Sequence, residues 1–415
     1  MAMLFKNIKA LVNTREFSQM LKGKYLAELP TIFDAYLFIE NDVIIDFGSM
    51  QNLPAGMNKI PEKEIINVQG RYVLPTWCDS HTHIVYDGSR EDEFIDKIKG
   101  LNYAEIAARG GGILNSARNL QNASEDALFS QAWQRLDEVS KLGTGAIEIK
   151  SGYGLTVESE LKMLRVIKKL KEKSGLIIKS TFLGAHTYPA EFKENHQGYI
   201  DMIIHEMLPV IARERLADYI DVFCETGFFS PEETETICRA GMQFGLKPKI
   251  HANQLSLSKG VETGVKLGAV SVDHLETMND EAINALKHSK TIGTLLPSAA
   301  FFLRMPYQPA RQLIDAGCAI SLASDFNPGS SPGGNMNFVI SLACIQMKMF
   351  PEEAINAATL NGAFAMEVNE KAGSVTKGKK ANFIITKPIP SLAYLPYSFG
   401  SNNVEKVMIN GQFIS

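Results

Sequence analysis

From about residue 76 onward the chain alternates between two hydrophobic patterns. Short apolar runs bounded by turn residues give way to longer stretches in which apolar positions recur every three to four residues. The first pattern predicts buried strands and the second amphipathic helices. Apolar runs at 72–77, 144–150, 176–183, 219–225, 247–251, 269–273, 291–297 and 319–324 make eight strands. Helix starts are marked as well. Ser124-Glu125-Asp126 opens a helix near 123–142, and Ser230-Pro231-Glu232-Glu233 joins an N-cap to a proline at the first helical position. Another helix covers 157–173. Strands alternating with helices predict βα units around a parallel sheet. Eight such units over roughly 290 residues predict an α/β fold, a (β/α)₈ TIM-type barrel whose functional groups sit at the C-terminal strand ends.

The two ends of the chain follow a different rhythm. Tyr36–Ile39 and Val43–Phe47 flank Glu40-Asn41-Asp42, a hairpin signal. After a helix over 351–366, β character returns in Phe383-Ile384-Ile385 and in a hairpin around Asn410-Gly411. Residues 1–75 and 371–415 are therefore expected to form one small β domain beside a barrel of residues 76–370.

Composition narrows the function classes. Hydrophobic residues are 45% and charged residues 21%, the balance of an ordinary globular protein. A net charge of −4 without a basic stripe gives no support to nucleic acid or an anionic membrane as partner. No apolar run reaches the roughly 18–20 residues of a membrane span, and the N-terminus lacks a signal peptide's pattern. Five cysteines, odd in number and without a Cys-x-x-Cys pair, fit reduced thiols in a cytoplasm. Cys78 reads as a buried structural thiol.

Candidate chemistry centres on Asp79-Ser80-His81-Thr82-His83. Residues two apart on a strand share a face, so His81 and His83 project together one step beyond an apolar run. Two such imidazoles suit a divalent cation of zinc or iron type. An isolated His-x-His is equally well two polar residues at a strand end, so further donors decide. They are supplied by His251-Ala252-Asn253-Gln254, by Asp273-His274, by Ser324-Asp325 with the turn Asn327-Pro328-Gly329 behind it, and by His186 after 181–185. Five of eight histidines thus fall at C-terminal strand ends.

An Asp-x-His-x-His at one strand end, a histidine at each of two later ones and an aspartate at the last resemble the amidohydrolase superfamily. Within it, four segments resemble the imidazolonepropionase family: Ile147–Leu155, Phe182–His186, Gly110–Ile113 and Ala323–Gly329. The resemblance runs nearly end to end. Thr76, Asn253 and Asn382 depart from common family residues, and Asn253 weakens the case for a supporting role at its position.

The resemblance implies a barrel with a β-sandwich built from both termini, and a single divalent metal ion, zinc or iron, held by His81, His83, His251 and Asp325. The strand ending Phe223-Cys224-Glu225 lacks the lysine that bridges two ions in other members. It implies hydrolysis of the ring amide of 4-imidazolone-5-propanoate to N-formimidoyl-glutamate. Asp325 would carry the proton, His274 would polarise the carbonyl, and Gln254 would assist. Arg90, Tyr153, His186, Gln254, Asn327, Gly329 and Ser330 would hold the substrate, with Tyr103 a weaker candidate. Arg90 has an alternative as a surface partner of Glu91 or Glu93, whereas Lys150 reads as the partner of a nearby carboxylate. Gly110-Gly111-Gly112 lacks a phosphate loop's lysine and reads as a flap or a close backbone approach. A homodimer acting on a small molecule completes the expectation. Two competitors share parts of the pattern. A deaminase of a cyclic amidine would release ammonia, and a non-catalytic assembly barrel would hold no metal.

Overall fold

The computed structural model describes residues 2–101 and 111–414. Tyr103 and Gly110 lie outside the described residues. Eight parallel strands form the barrel in simple chain order. They are β6 (Trp77–Thr82), β7 (Thr144–Lys150), β8 (Ile177–Ala185), β9 (Tyr219–Cys224), β10 (Lys247–Ala252), β11 (Ser271–His274), β12 (Ile292–Leu295) and β13 (Ile320–Leu322). The cylinder closes just past the ends of β13 and β6, where the Asp325 amide donates to His81 O at 3.0 Å and the His83 amide to Phe326 O at 2.8 Å. Closure draws the first and last strands together at the end where the candidate chemistry lies.

The helices start where their caps place them. Ser124 Oγ accepts from the Ala127 amide at 3.2 Å, opening Glu125–Lys141. Ser230 and Glu233 satisfy each other's amides in a capping box ahead of Pro231–Gln243. The helix expected over 351–366 carries one departure, a π turn at Ala357–Asn361. There Asn361 Nδ2 donates to Leu21 O and Ile320 O, tying the turn to the floor of the barrel.

Both termini build the second sheet. It comprises β1 (Ala2–Val12), β2 (Thr31–Glu40), β3 (Val43–Ser49), β4 (Ile65–Asn67), β5 (Tyr72–Pro75), β14 (Phe383–Thr386), β15 (Val404–Ile409) and β16 (Gln412–Ile414). The strands run β16-β15-β14-β5-β1-β2-β3, with β4 also beside β1. Phe5, Ile8, Leu37, Val73, Phe383 and Met408 give it an apolar core of its own. Asn410 and Gly411, both at positive φ, make the tight turn their sequence predicts.

The apolar run 72–77 is divided between the two sheets, contrary to its reading as the first barrel strand. Tyr72–Pro75 pairs with β1 and β14. The Thr76 amide still bonds to Asn382 O of the terminal sheet at 3.3 Å, whereas the Trp77 amide bonds to Gly143 O of the barrel wall at 2.9 Å. The chain changes sheet across one peptide bond. His81 consequently stands within the first barrel strand, and only His83 lies beyond it. No described helix is long and apolar enough to cross a membrane.

Candidate active site

Three imidazoles and one carboxylate meet inside the barrel mouth. His81 Nε2 lies 3.3 Å from His83 Nε2 and 3.4 Å from Asp325 Oδ1, and His83 Nε2 is 3.6 Å from that same oxygen. The His251 ring stands 4.5 Å from that of His81, centre to centre. Donor atoms of His81, His83 and Asp325 fall within 4.8 Å of one another, as do those of His81, His251 and His274. Burial holds the pKa values of His81, His83 and His251 well below the usual range, and nearby Lys150 adds to this for each. Neutral imidazoles are the form a cation binds.

The unsatisfied atoms point the same way. Both nitrogens of His251 and Nδ1 of His83 are buried without a hydrogen-bond partner. His251 Nδ1 is 3.0 Å from Asp221 Oδ2, close enough for electrostatic attraction but not aligned as a hydrogen bond. Buried polar atoms left so are costly. A divalent cation of zinc or iron type would take one nitrogen from each imidazole together with the Asp325 carboxylate, relieving one of the two unpaired nitrogens of His251, and the residues fit it.

The carboxylates behind the imidazoles fix them. Asp273 Oδ2 accepts from His81 Nδ1 at 2.7 Å, so the opposite nitrogen faces the centre. Asp221 accepts the His251 amide at 3.1 Å and Lys150 Nζ at 2.8 Å. Lys150 also reaches Glu148 at 2.7 Å and Asp273 at 3.4 Å. Lys249 pairs with the other oxygen of Glu148. All five of these charged side chains are fully buried. Lys150 thus pairs with carboxylates, as expected from sequence. Asp221, Glu148 and Lys249 were not singled out from sequence, and Asp273 was named only beside His274. Their signal is a charged residue at every second position of otherwise apolar strands, as in Glu148-Ile149-Lys150 and Lys249-Ile250-His251.

Asp325 stands at φ 54°, and Ser330 Oγ donates to its Oδ2 at 3.1 Å. Burial raises its carboxyl to about 6, against the pull of His274. His274 is held at φ 88°. Its Nδ1 lies 3.4 Å from Glu276 Oε1, which also accepts Gln308 Nε2 at 2.9 Å. Burial works against a charged His274, but the charge and hydrogen bond of Glu276 prevail and raise its pKa.

These groups open onto a cavity of about 510 Å³, lined by every described site residue expected from sequence except the fully buried His81. His186 lies parallel to His83, with ring centres 5.6 Å apart, and its Nδ1 is 3.0 Å from Gly152 O. Because a carbonyl only accepts, Nδ1 carries the proton and Nε2 is an acceptor. Tyr153 and Gln254 flank this wall. Arg90 lines the cavity and donates to Glu93 Oε2 at 2.9 Å through Nε, a pair that is buried rather than on the surface as its alternative reading had it. Asn327 Oδ1 accepts the amides of Gly329 and Ser330, each at 2.8 Å, which sets the turn beneath Asp325. Glu225 accepts the amides of Thr226 and Leu255, at 2.7 and 2.8 Å, and so supports the loop after Gln254. In the glycine run, Gly112 stands at φ 82° and its amide donates to Glu93 at 3.0 Å.

A closed parallel barrel with imidazole and carboxylate donors at its mouth defines a class, and the chain belongs to it: the sequence model of the amidohydrolase family matches residues 72–414. A crystal structure of a triazine hydrolase variant shares the fold, with a TM-score of 0.75 at 15% identity over 99% of this chain and 94% of that one. Within the family the chain belongs with the imidazolonepropionases. It is 61% identical to imidazolonepropionase of Flavobacterium johnsoniae and 57% identical to that of Christiangramia forsetii, both over 100% of each chain.

Proposed function

We propose that this chain is an imidazolonepropionase, a metal-dependent hydrolase that opens the ring amide of 4-imidazolone-5-propanoate to N-formimidoyl-L-glutamate in histidine degradation. The observation that carries the reading is the convergence of His81, His83, His251 and Asp325 on a cavity whose wall also presents Arg90. Those four residues would hold one divalent ion, zinc or iron. When bound, it supplies Lewis acidity, lowering the pKa of water towards about 7 and polarising a carbonyl. Residues 76–370 carry the chemistry, and 1–75 with 371–415 form the supporting unit. A cytoplasmic homodimer is the expected setting, consistent with five free cysteines.

The side chains divide the remaining work. Asp325 takes a proton from the attacking water as the new C–O bond forms, and Ser330 Oγ, donating to its Oδ2, holds the carboxylate in place for that transfer. As the ring C–N bond breaks, it returns the proton to the leaving nitrogen. His274, kept a donor by Glu276, hydrogen-bonds the carbonyl oxygen while negative charge gathers there. Gln254 offers an amide beside it. His186 Nε2 accepts from a ring N–H, Tyr153 steadies the ring, and Arg90 faces the carboxylate tail. Asn327, Gly329 and Ser330 keep Asp325 aligned under the substrate.

The test supplies freshly generated imidazolone propanoate to the protein and follows its ultraviolet decay against the spontaneous rate. Decay should accelerate by orders of magnitude, stop with chelator and return with zinc or ferrous ion. Unaccelerated decay by metal-loaded protein would overturn the reading.

A further inference from the structure

The wall opposite the imidazoles holds a cation that no expectation included. Helix Glu91–Ile98 turns Phe94, Lys97 and Ile98 onto the cavity, and Leu101 follows one turn on. These positions fall at i, i+3, i+4 and i+7, one face of a helix. Arg90, at the start of the same helix, has its charge compensated. Its Nε and Nη2 donate to Glu93 Oε2 at 2.9 and 2.5 Å, and the buried Glu93 also accepts from Gly112 and Asn115. Lys97 feels Glu93 only at a distance, without an ion-pair contact. Its Nζ donates to Gly329 O at 3.2 Å and stands 5.4 Å from the ring centre of Phe302. No carboxylate among the described residues forms an ion pair with it. Arg90, Lys97 and Glu93 together leave one net positive charge on this wall.

Gly329 joins the two cations. A Cβ there would fall 2.1 Å from Arg90 Nη1, so only glycine lets the guanidinium lie against that backbone, whose carbonyl Lys97 holds from the other side. Burial, and Arg90 after it, depress the Lys97 pKa while Glu93 opposes them, so a neighbouring anion would further stabilise the charged form. Lys97 is half-buried among Phe94, Ile98, Leu101 and Phe302, of which Phe94 and Ile98 keep an exposed face. In such surroundings a charge pair is screened less than in water. Arg304, also on the cavity wall, is exposed and therefore screened by solvent.

We propose that Lys97 and Arg90 form a two-cation cradle across Gly329 that selects imidazolones with an anionic side chain, Lys97 supplying the uncompensated charge. The proposal rests on the hydrolase reading above and names the residue that sets its substrate class. The tail carboxylate would bridge Nζ and the guanidinium while the ring lies toward His186 and Asp325.

The experiment compares kcat/KM for imidazolone propanoate and for its neutral propanamide analogue, using metal-loaded wild type, Lys97→Gln, Lys97→Met and Lys97→Arg. Wild type should favour the acid. Lys97→Gln and Lys97→Met should each lower kcat/KM for the acid about 30-fold, mostly through KM, and leave the amide within about twofold. Lys97→Arg should recover most of the loss, and added salt should shrink the preference for the acid. Thermal midpoints and metal content report folding, and having two neutral variants guards against one that misfolds. If wild type is active and neither neutral variant loses selectivity, or both substrates suffer equally, Lys97 is not the selector. A wild type inert on both substrates overturns the hydrolase reading, and this proposal with it.

Discussion

At the residue scale, the backbone at His274 carries a cost. His274 and Leu275 stand consecutively at φ 88° and φ 66°. Each positive φ in a non-glycine residue costs on the order of 1–3 kcal/mol and persists only where the surroundings enforce it. Here the Leu275 amide bonds to Ala252 O at 3.2 Å, and Glu276 reaches back to His274 Nδ1. The bend brings a carboxylate from two residues onward against the imidazole, and Gln308 clamps that carboxylate from a distant helix approach. If Glu276 keeps His274 a donor, Glu276→Gln should lower kcat by about 10- to 100-fold with KM nearly unchanged. In a His274→Ala background the same change should cost less than about twofold, because coupled residues are not additive. Equal losses in both backgrounds would separate Glu276 from His274.

At the scale of elements, strand alternation places charge inside the barrel. Glu148, Lys150, Asp221, Lys249 and Asp273 come from four strands whose remaining residues are largely apolar, and each points inward beneath the donors. Removing one partner from such a network leaves an uncompensated buried charge, a cost of about 3–5 kcal/mol. Lys150→Met should therefore lower the unfolding midpoint in denaturant. It should also weaken metal binding by about 10- to 100-fold in chelator competition, because Asp221 and Asp273 lose the ammonium that fixes them behind His251 and His81. Unchanged metal affinity would reduce Lys150 to a purely structural role. Seven of the eight barrel strands were legible because their apolar runs and turn signals are local, and so were the strand-end donors His83, His251 and Asp325. Three things were not. The change of sheet at Thr76 and Trp77 is decided by hydrogen bonds to residues 306 and 66 positions away, to Asn382 and Gly143 respectively. The helix Glu91–Ile98 is short and largely charged on its outer face, and no strand-end pattern announces Lys97. Gln308 meets Glu276 across 32 residues of chain, a contact between the segments that follow the paired strands β11 and β12.

At the scale of the whole molecule, the barrel is anchored to the terminal sheet at the points where the chain crosses between them. The incoming crossing is the Thr76–Trp77 peptide, and the returning segment 372–382 leads into β14. Lys379 is buried in that return, donating to Ala372 O at 2.8 Å and Ser374 Oγ at 2.7 Å with no carboxylate in ion-pair contact among the described residues. Burial pushes its pKa down from 10.5 to about 8, the nearby Cys78 and Glu370 opposing only in part. The sign follows from proton counting. Below pH about 8 folded and unfolded chains both hold the proton, and the fold bears the full cost of a buried ammonium. Between about 8 and 10.5 the unfolded chain keeps a proton that the folded one has released, so stability rises with pH across that window. Lys379→Met removes the titration while keeping the volume, and it cancels every other pH-dependent group in the comparison. The stability of wild type relative to Lys379→Met should therefore climb by about 3 kcal/mol between neutral pH and pH about 10.5, read from denaturant midpoints at each pH. A difference that stays flat with pH would mean that the junction opens enough to solvate Lys379, and the two units would then be joined more loosely than their buried contacts indicate.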